Sequence, residues 1–151
     1  MTYSKACAER GIVPSGNNWR VARNVMVAPS DQEAHDRVFS DKGSNRYFFT
    51  YIRDVLHRVG ILPILKPRPD MTDDEATPEA ILTECVIYGS PNTVLDKLVA
   101  FRERVGPFGT LLMTGIDWAG QNEAWEREAM RLLAHEVMPK FRQHVMAEAA
   151  E

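Results

Sequence analysis

Two cysteines in 151 residues, Cys7 and Cys85, stand too far apart for a metal or redox spacing, and both read as reduced thiols. Histidine is sparse as well. His35, His57, His135 and His144 form no pair one helical turn apart, so no metal site is proposed. No apolar run approaches the roughly eighteen residues of a membrane-crossing helix, and the N-terminus lacks a basic-then-apolar signal pattern. An excess of one charge is missing too. The net charge of −3 creates no field that would attract nucleic acid or an acidic membrane. With no Ser-His-Asp, Cys-His or close carboxylate pair visible, hydrolysis by a nucleophile or a glycosidase-type pair has no support. A cytoplasmic, ordinarily globular chain is the expectation, 44% hydrophobic and 26% charged, with seven methionines at helical spacing as core filling.

What is present is most legible from Cys85 to Phe141. A short apolar strand at 85–88 meets a Gly89-Ser90-Pro91 turn, and Ser90 can accept from the free amides of the next helix while Pro91 loses nothing at its first position. Val94, Leu98, Phe101 and Val105 then mark one helical face. Gly106 and Pro107 stop that helix, and a second strand at 110–115 follows, evenly apolar as if covered on both faces. Met130, Leu133, Ala134, Val137 and Phe141 stripe a last helix that Pro139 should kink or end near Val137. Strand, capped helix, strand, capped helix is the order of a parallel α/β layer.

Upstream, a strand at 20–27 follows a short helix at 3–10 that Gly11 stops. Asp41 to Asn45 is a turn cluster, Tyr47 to Val59 is helical, and four prolines between Pro63 and Pro78 read as a surface loop. Loops that long are often lids or binding loops, and a lid and a plain solvated excursion are weighed evenly here. Thr77-Pro78-Glu79 starts a short helix to Thr83.

These residues carry a resemblance. Val86 to Val94, Val105 to Leu112, Gly115-Ile116-Asp117-Trp118 and Glu136 to Pro139 resemble the C-terminal end of the luciferase-like flavin-dependent monooxygenases, above all the limonene-monooxygenase-like and alkanesulfonate-type members. Trp19 to Ala28 with Ser30 to Ala34 is similar to that family's sixth barrel strand and following helix. The resemblance implies a partial TIM (β/α)8 barrel, approximately the last three strand–helix units, in a single segment 1–151 with an insertion at about 41–84. A full barrel takes about 250 residues, so this length accommodates only part of one. It also implies reduced FMN, the family's default flavin, delivered by a separate flavin reductase, and O2-dependent oxidation of a hydrophobic organic substrate. The remaining partner is the missing barrel half or a second copy of the chain.

In such a barrel the chemistry lies at the C-terminal strand ends, here 28–30, 89–91 and 115–118. Asn24 stands in the sixth strand where several family members place an active-site polar residue. Alternation puts Arg20, Ala22, Asn24 and Met26 on one strand face and Arg23 on the other. If the even set faces the interior, Arg20 requires an anion such as a flavin phosphate; at a solvated strand start it snorkels instead, which is favoured. Gly89 and Ser90 open a helix N-terminus that could seat phosphate, but the family's main phosphate contacts come earlier in its chain, so Ser90 is read as a helix cap. Asp117 and Trp118 close the last strand, and Trp118 walls a pocket or packs. No residue is assigned as catalytic.

Three readings follow: the C-terminal portion of a flavin monooxygenase, inactive alone; a non-catalytic partial-barrel partner or remnant; and a small α/β binding module. The free edge of the sixth strand and uncovered helix faces argue against the third, and for a poorly soluble, oligomeric or partly ordered chain.

Overall fold

The computed structural model describes residues 3–117 and 120–148. Helix α1 (Tyr3–Ala8) precedes strand β1 (Arg20–Val27), then come α2 (Asp31–Phe39) and α3 (Ser44–Arg58). A single 3-10 turn (Leu62–Ile64) leads through an irregular stretch to α4 (Pro78–Cys85), which runs directly into β2 (Val86–Gly89). Helix α5 (Pro91–Val105), strand β3 (Thr110–Met113), α6 (Glu123–Leu132), a π-turn segment (Leu133–Val137) and α7 (Met138–Glu148) complete the order. Cys85 therefore ends a helix instead of starting a strand, and the strand at 110 stops two residues before its expected end. Pro139 acts as expected on the last helix. Its missing N–H and ring are accommodated by a widened π segment just upstream, after which α-geometry resumes.

The three strands are parallel, in the order β2-β1-β3. Consecutive staves of a barrel would lie in chain order, with β2 in the middle. Here β1 is central and divides its length between two partners. Arg20 to Arg23 pair with Thr110 to Met113, and Asn24 to Val27 pair with Val86 to Gly89. The expected free edge of β1 is thus filled by β3 over half its length, because unpaired amides and carbonyls on a parallel strand are satisfied by whichever strand can reach them.

The odd face of β1 is buried in its second half and half-buried at Val21 and Arg23. Val25 and Val27 pack with Val94, Leu98 and Phe101 of α5, Leu132 of α6, Val137 and Phe141. On the even face Met26 packs with Val38, Phe49, Ile81, Leu82 and Ala129, supplied by α2, α3, α4 and α6. The lower part of that face is open. Arg20, Ala22, Thr110 and Leu112 are exposed, so β3 is covered on one side and not on both as its composition suggested. The proline-rich stretch is anchored instead of structureless. Leu62, Met71 and Ala76 are buried together, Arg53 donates to the carbonyls of Ala76 and Asp73, and Lys66 lies 2.7 Å from Asp73. Its residues Ile64 to Pro67 lie beside Glu84 and Cys85 at the N-terminal end of β2, the pole opposite the strand ends that a lid would cover.

These burial differences predict contrasting costs for two leucines. Leu98→Ala, at a fully buried site, should lower the unfolding free energy by about 2–5 kcal/mol in urea titration. Leu112→Ala, at a position 48% exposed, should cost under about 1 kcal/mol, and a larger loss would mean that the open face is covered in solution.

Candidate functional site

The tightest arrangement at the C-terminal strand ends joins the start of α2 to the start of α5. Ser30 caps α2, its hydroxyl accepting from the Glu33 amide at 3.2 Å. That cap places Asp31 on the first helical turn, where its carboxylate accepts the Ser90 backbone N–H at 2.6 Å. The Ser90 amide lowers the Asp31 pKa most, with the Thr93 and Ser90 hydroxyls adding to the effect. Ser90 does occupy the cap position of α5, but its hydroxyl pairs with Thr93 Oγ1 at 3.1 Å and takes no helix amide. Gly89 enters the turn at φ 151°, and a Cβ there would stand 2.7 Å from the Thr93 methyl and 2.9 Å from Asp31 Oδ1. The close approach of the two helix starts depends on that glycine. Lys97 closes the group nearly two turns into α5. Its Nζ donates to the Tyr88 carbonyl at 2.8 Å and lies 4.0 Å from the centre of the Tyr88 ring. Burial pushes the Lys97 pKa down, while Asp31 pulls it the other way.

This geometry decides the phosphate question for α5. The positive end of the helix is where an anion gains from exposed amides and the helix dipole. Asp31 already supplies that anion, so a flavin phosphate would meet a carboxylate at the same amide. The residues present here do not fit a phosphate.

The other rim residues are not brought to this place. Met113 is level with Arg23 and Gly89 with Val27, a stagger of four residues or about 13 Å along the sheet. Asp117, half-buried beyond β3, accepts the Asn122 amide at 3.0 Å. Near it Glu126 is buried, with Ser44 donating to it at 3.5 Å. Loss of hydration raises the Glu126 pKa, against the amides of Ile116 and Asp117, which favour its charged form. Asn122 also ties this group to the turn after α2, donating through Nδ2 to the Lys42 carbonyl at 3.0 Å. Trp118 lies outside the described residues.

Asn24 forms a third, separate contact. It is half-buried, and its Nδ2 donates to Asn45 Oδ1 on α3 at 3.5 Å. Arg20 lies exposed at the start of β1, opposite Thr110. Arg23 projects to the helix side, its guanidinium 4.4 Å from the Phe101 ring centre, as strand alternation requires. Of the six residues singled out from the sequence, then, Gly89 and Ser90 share one site, while Asn24, Arg20 and Asp117 stand apart. Asp31, Thr93, Lys97, Asn45 and Glu126 went unnoticed. Asp31 has the ordinary signature of an acidic first helical turn, and nothing local announces that it serves the next helix.

No protein-family model matches the chain. It is 29% identical over 140 residues to 3,6-diketocamphane 1,6-monooxygenase of Pseudomonas putida, covering 92% of this chain and 36% of that protein. Similarity to 4-hydroxyprotoasukamycin monooxygenase of Streptomyces nodosus subsp. asukaensis is 30% over 140 residues, covering 90% of this chain and 34% of that one. A solved structure, a type II Baeyer-Villiger monooxygenase that is the oxygenating constituent of 3,6-diketocamphane monooxygenase in complex with FMN, superposes with a TM-score of 0.76 at 29% identity. That superposition covers 91% of this chain and 37% of the other. The chain's relatives are thus monooxygenases, one of them solved in complex with FMN, and the chain corresponds to part of each. It spans just over a third of the length of the curated relatives it matches. The agreement extends through both poles of the sheet and is not confined to the Gly89-Ser90 turn.

The buried Glu126 carboxyl predicts a pH signature. A folded-state pKa raised above the unfolded one means that the folded protein holds the proton more tightly. Stability should therefore fall as pH rises from the ordinary carboxylate range through the folded pKa of Glu126. In Glu126→Gln that slope should vanish, read as the difference between the two proteins' urea midpoints across pH 4 to 8. Superimposable pH profiles would remove the argument.

Proposed function

We propose that this chain is the C-terminal part of a reduced-FMN-dependent monooxygenase that oxidises a hydrophobic organic compound with O2. The observation that carries this reading is homology over nine-tenths of the chain to monooxygenases, one of them solved with FMN. The names of the diketocamphane relatives point to a bulky alicyclic ketone as substrate and to a Baeyer-Villiger outcome, an oxygen atom inserted beside the carbonyl. Bound FMN would supply the activation of O2. Its phosphate has no seat at α5, because Asp31 fills that helix end. The seat is therefore assigned to barrel units outside this chain, and no step is routed through the residues described here. Their contribution is structural: they set the C-terminal strand ends and exclude water behind them.

Reduced flavin comes from a separate reductase, and the remaining barrel units are the natural second partner. The chain alone should not turn over. Purified chain mixed with a flavin reductase, FMN, NADH and a bicyclic ketone should form no lactone above the uncoupled background. Lactone formation, or tight FMN binding by the chain alone, would overturn this assignment.

One observation favours a second reading, a self-contained α/β module without catalysis. Each edge of β1 is occupied over half its length, and Val25 and Val27 on its odd face are buried under α5, α6 and α7, so part of the cover that a partial barrel should lack is present. Sedimentation and thermal melting separate the two. A monodisperse monomer with one cooperative transition is the outcome for the module, and association through the open face at Ala22 and Leu112 is the outcome for the partial barrel.

A further inference from the structure

Strand β2 reaches β1 only from Asn24 onward, so on that side Arg20 to Arg23 have no strand beside them. The gap is a notch at the N-terminal pole of the sheet, and one of the cavities beside it extends along β2 to Tyr88 and Lys97. Two cavities of about 520 Å³ each open into it, and Arg23, Glu84 and Arg104 line both. Phe49 and Leu65 wall one of them, and Ile87 and Phe101 the other. We infer that this notch binds a small organic anion, a carboxylate carried on a compact apolar body.

Arg23 is central to the site. It is half-buried, and among the described residues its side chain has no hydrogen bond and no ion pair; its contact is the Phe101 ring at 4.4 Å. The other half-buried or buried arginines are differently placed. Arg37 pairs with Glu33 and Glu128, Arg46 with Asp41 and Glu79, and Arg53 with Asp54 and two carbonyls. Arg102 donates to the Phe108 carbonyl. A guanidinium partly removed from water without a counter-charge is costly. Arg104 lies 5.8 Å from the centre of the same Phe101 ring and likewise forms no ion pair among the described residues. Glu84 shares the wall but pairs with neither. This concentration of positive charge occurs in a chain whose net charge is −3.

The chemistry selects the ligand. A guanidinium lying over an aromatic face keeps its N–H edge free in its own plane, the edge that grips a carboxylate through two parallel hydrogen bonds. Phe49, Leu65 and Phe101 then favour an apolar body behind that carboxylate over a fully hydrated inorganic ion. Burial raises the Cys85 pKa, so the adjacent sulfur stays neutral and does not supply the missing anion itself.

Cyclohexanecarboxylate tests this on the full-length chain, with binding followed by calorimetry and by the arginine Nε–Hε resonances. Saturable binding should shift the Arg23 and Arg104 signals, and Arg23→Gln should weaken it by about tenfold or more. Arg104→Gln, on an exposed last helical turn, should also weaken it and cannot be dismissed as unfolding. Cyclohexanecarboxamide, alike in shape but neutral, should not bind in the same range. No saturable binding, an unchanged affinity in both variants, or equal binding of the amide would overturn the site. Equal affinity for inorganic phosphate would overturn its preference for an organic anion.

Discussion

The backbone of β1 is shared between two neighbours, and the rest of the structure follows from how it is divided. Its first four residues hydrogen-bond to β3 and its last four to β2. Each strand is too short to cover β1 alone, and a parallel strand left unpaired in a buried layer is costly. The division sets the stagger of β2 and β3, and the stagger sets where their C-terminal turns emerge. It separates Gly89-Ser90 from Asp117, and it opens the notch below β2 in which Arg23 and Arg104 meet at Phe101.

Charge is placed in keeping with that frame. One carboxylate, Asp31, neutralises the positive end of α5 and ties two successive strand–helix units together across their turns. Glu126 does something comparable beyond β3, facing the amides of Ile116 and Asp117 and reaching Ser44 at the start of α3. Both groups satisfy backbone amides that a bound ligand could otherwise have used. Under the function proposed above, the C-terminal strand ends described here are supporting structure for chemistry seated outside this chain, which spans about a third of the relatives' length.

Periodic segments were legible in the residues themselves. Strand β1 has the limits that alternation from Arg20 to Val27 suggests, α5 runs from Pro91 to the Gly106 stop, and Pro139 distorts its helix where a missing amide must. The opposite-face placement of Arg23 and Asn24 also follows from a period of two. The irregular stretch after α3 was harder to read. Proline and charge indicate a loop, but they carry no sign of the burial of Met71 and Ala76 that anchors it. Cys85 was misplaced for a related reason, since a short apolar run suits the end of a helix as well as the start of a strand.

By itself the sequence determined the local elements, their caps and stops, the absence of one-sided charge, and the family likeness carried by the turns. Those properties depend on neighbours a few residues apart, where side-chain period and backbone preference decide. The tertiary structure alone decided that β1 is central, that Asp31 serves the Ser90 amide 59 positions away, and that two guanidiniums share one ring. The physical reason is that strand order and charge pairing are settled by which groups reach each other once the apolar faces are buried, and distance along the chain does not encode that.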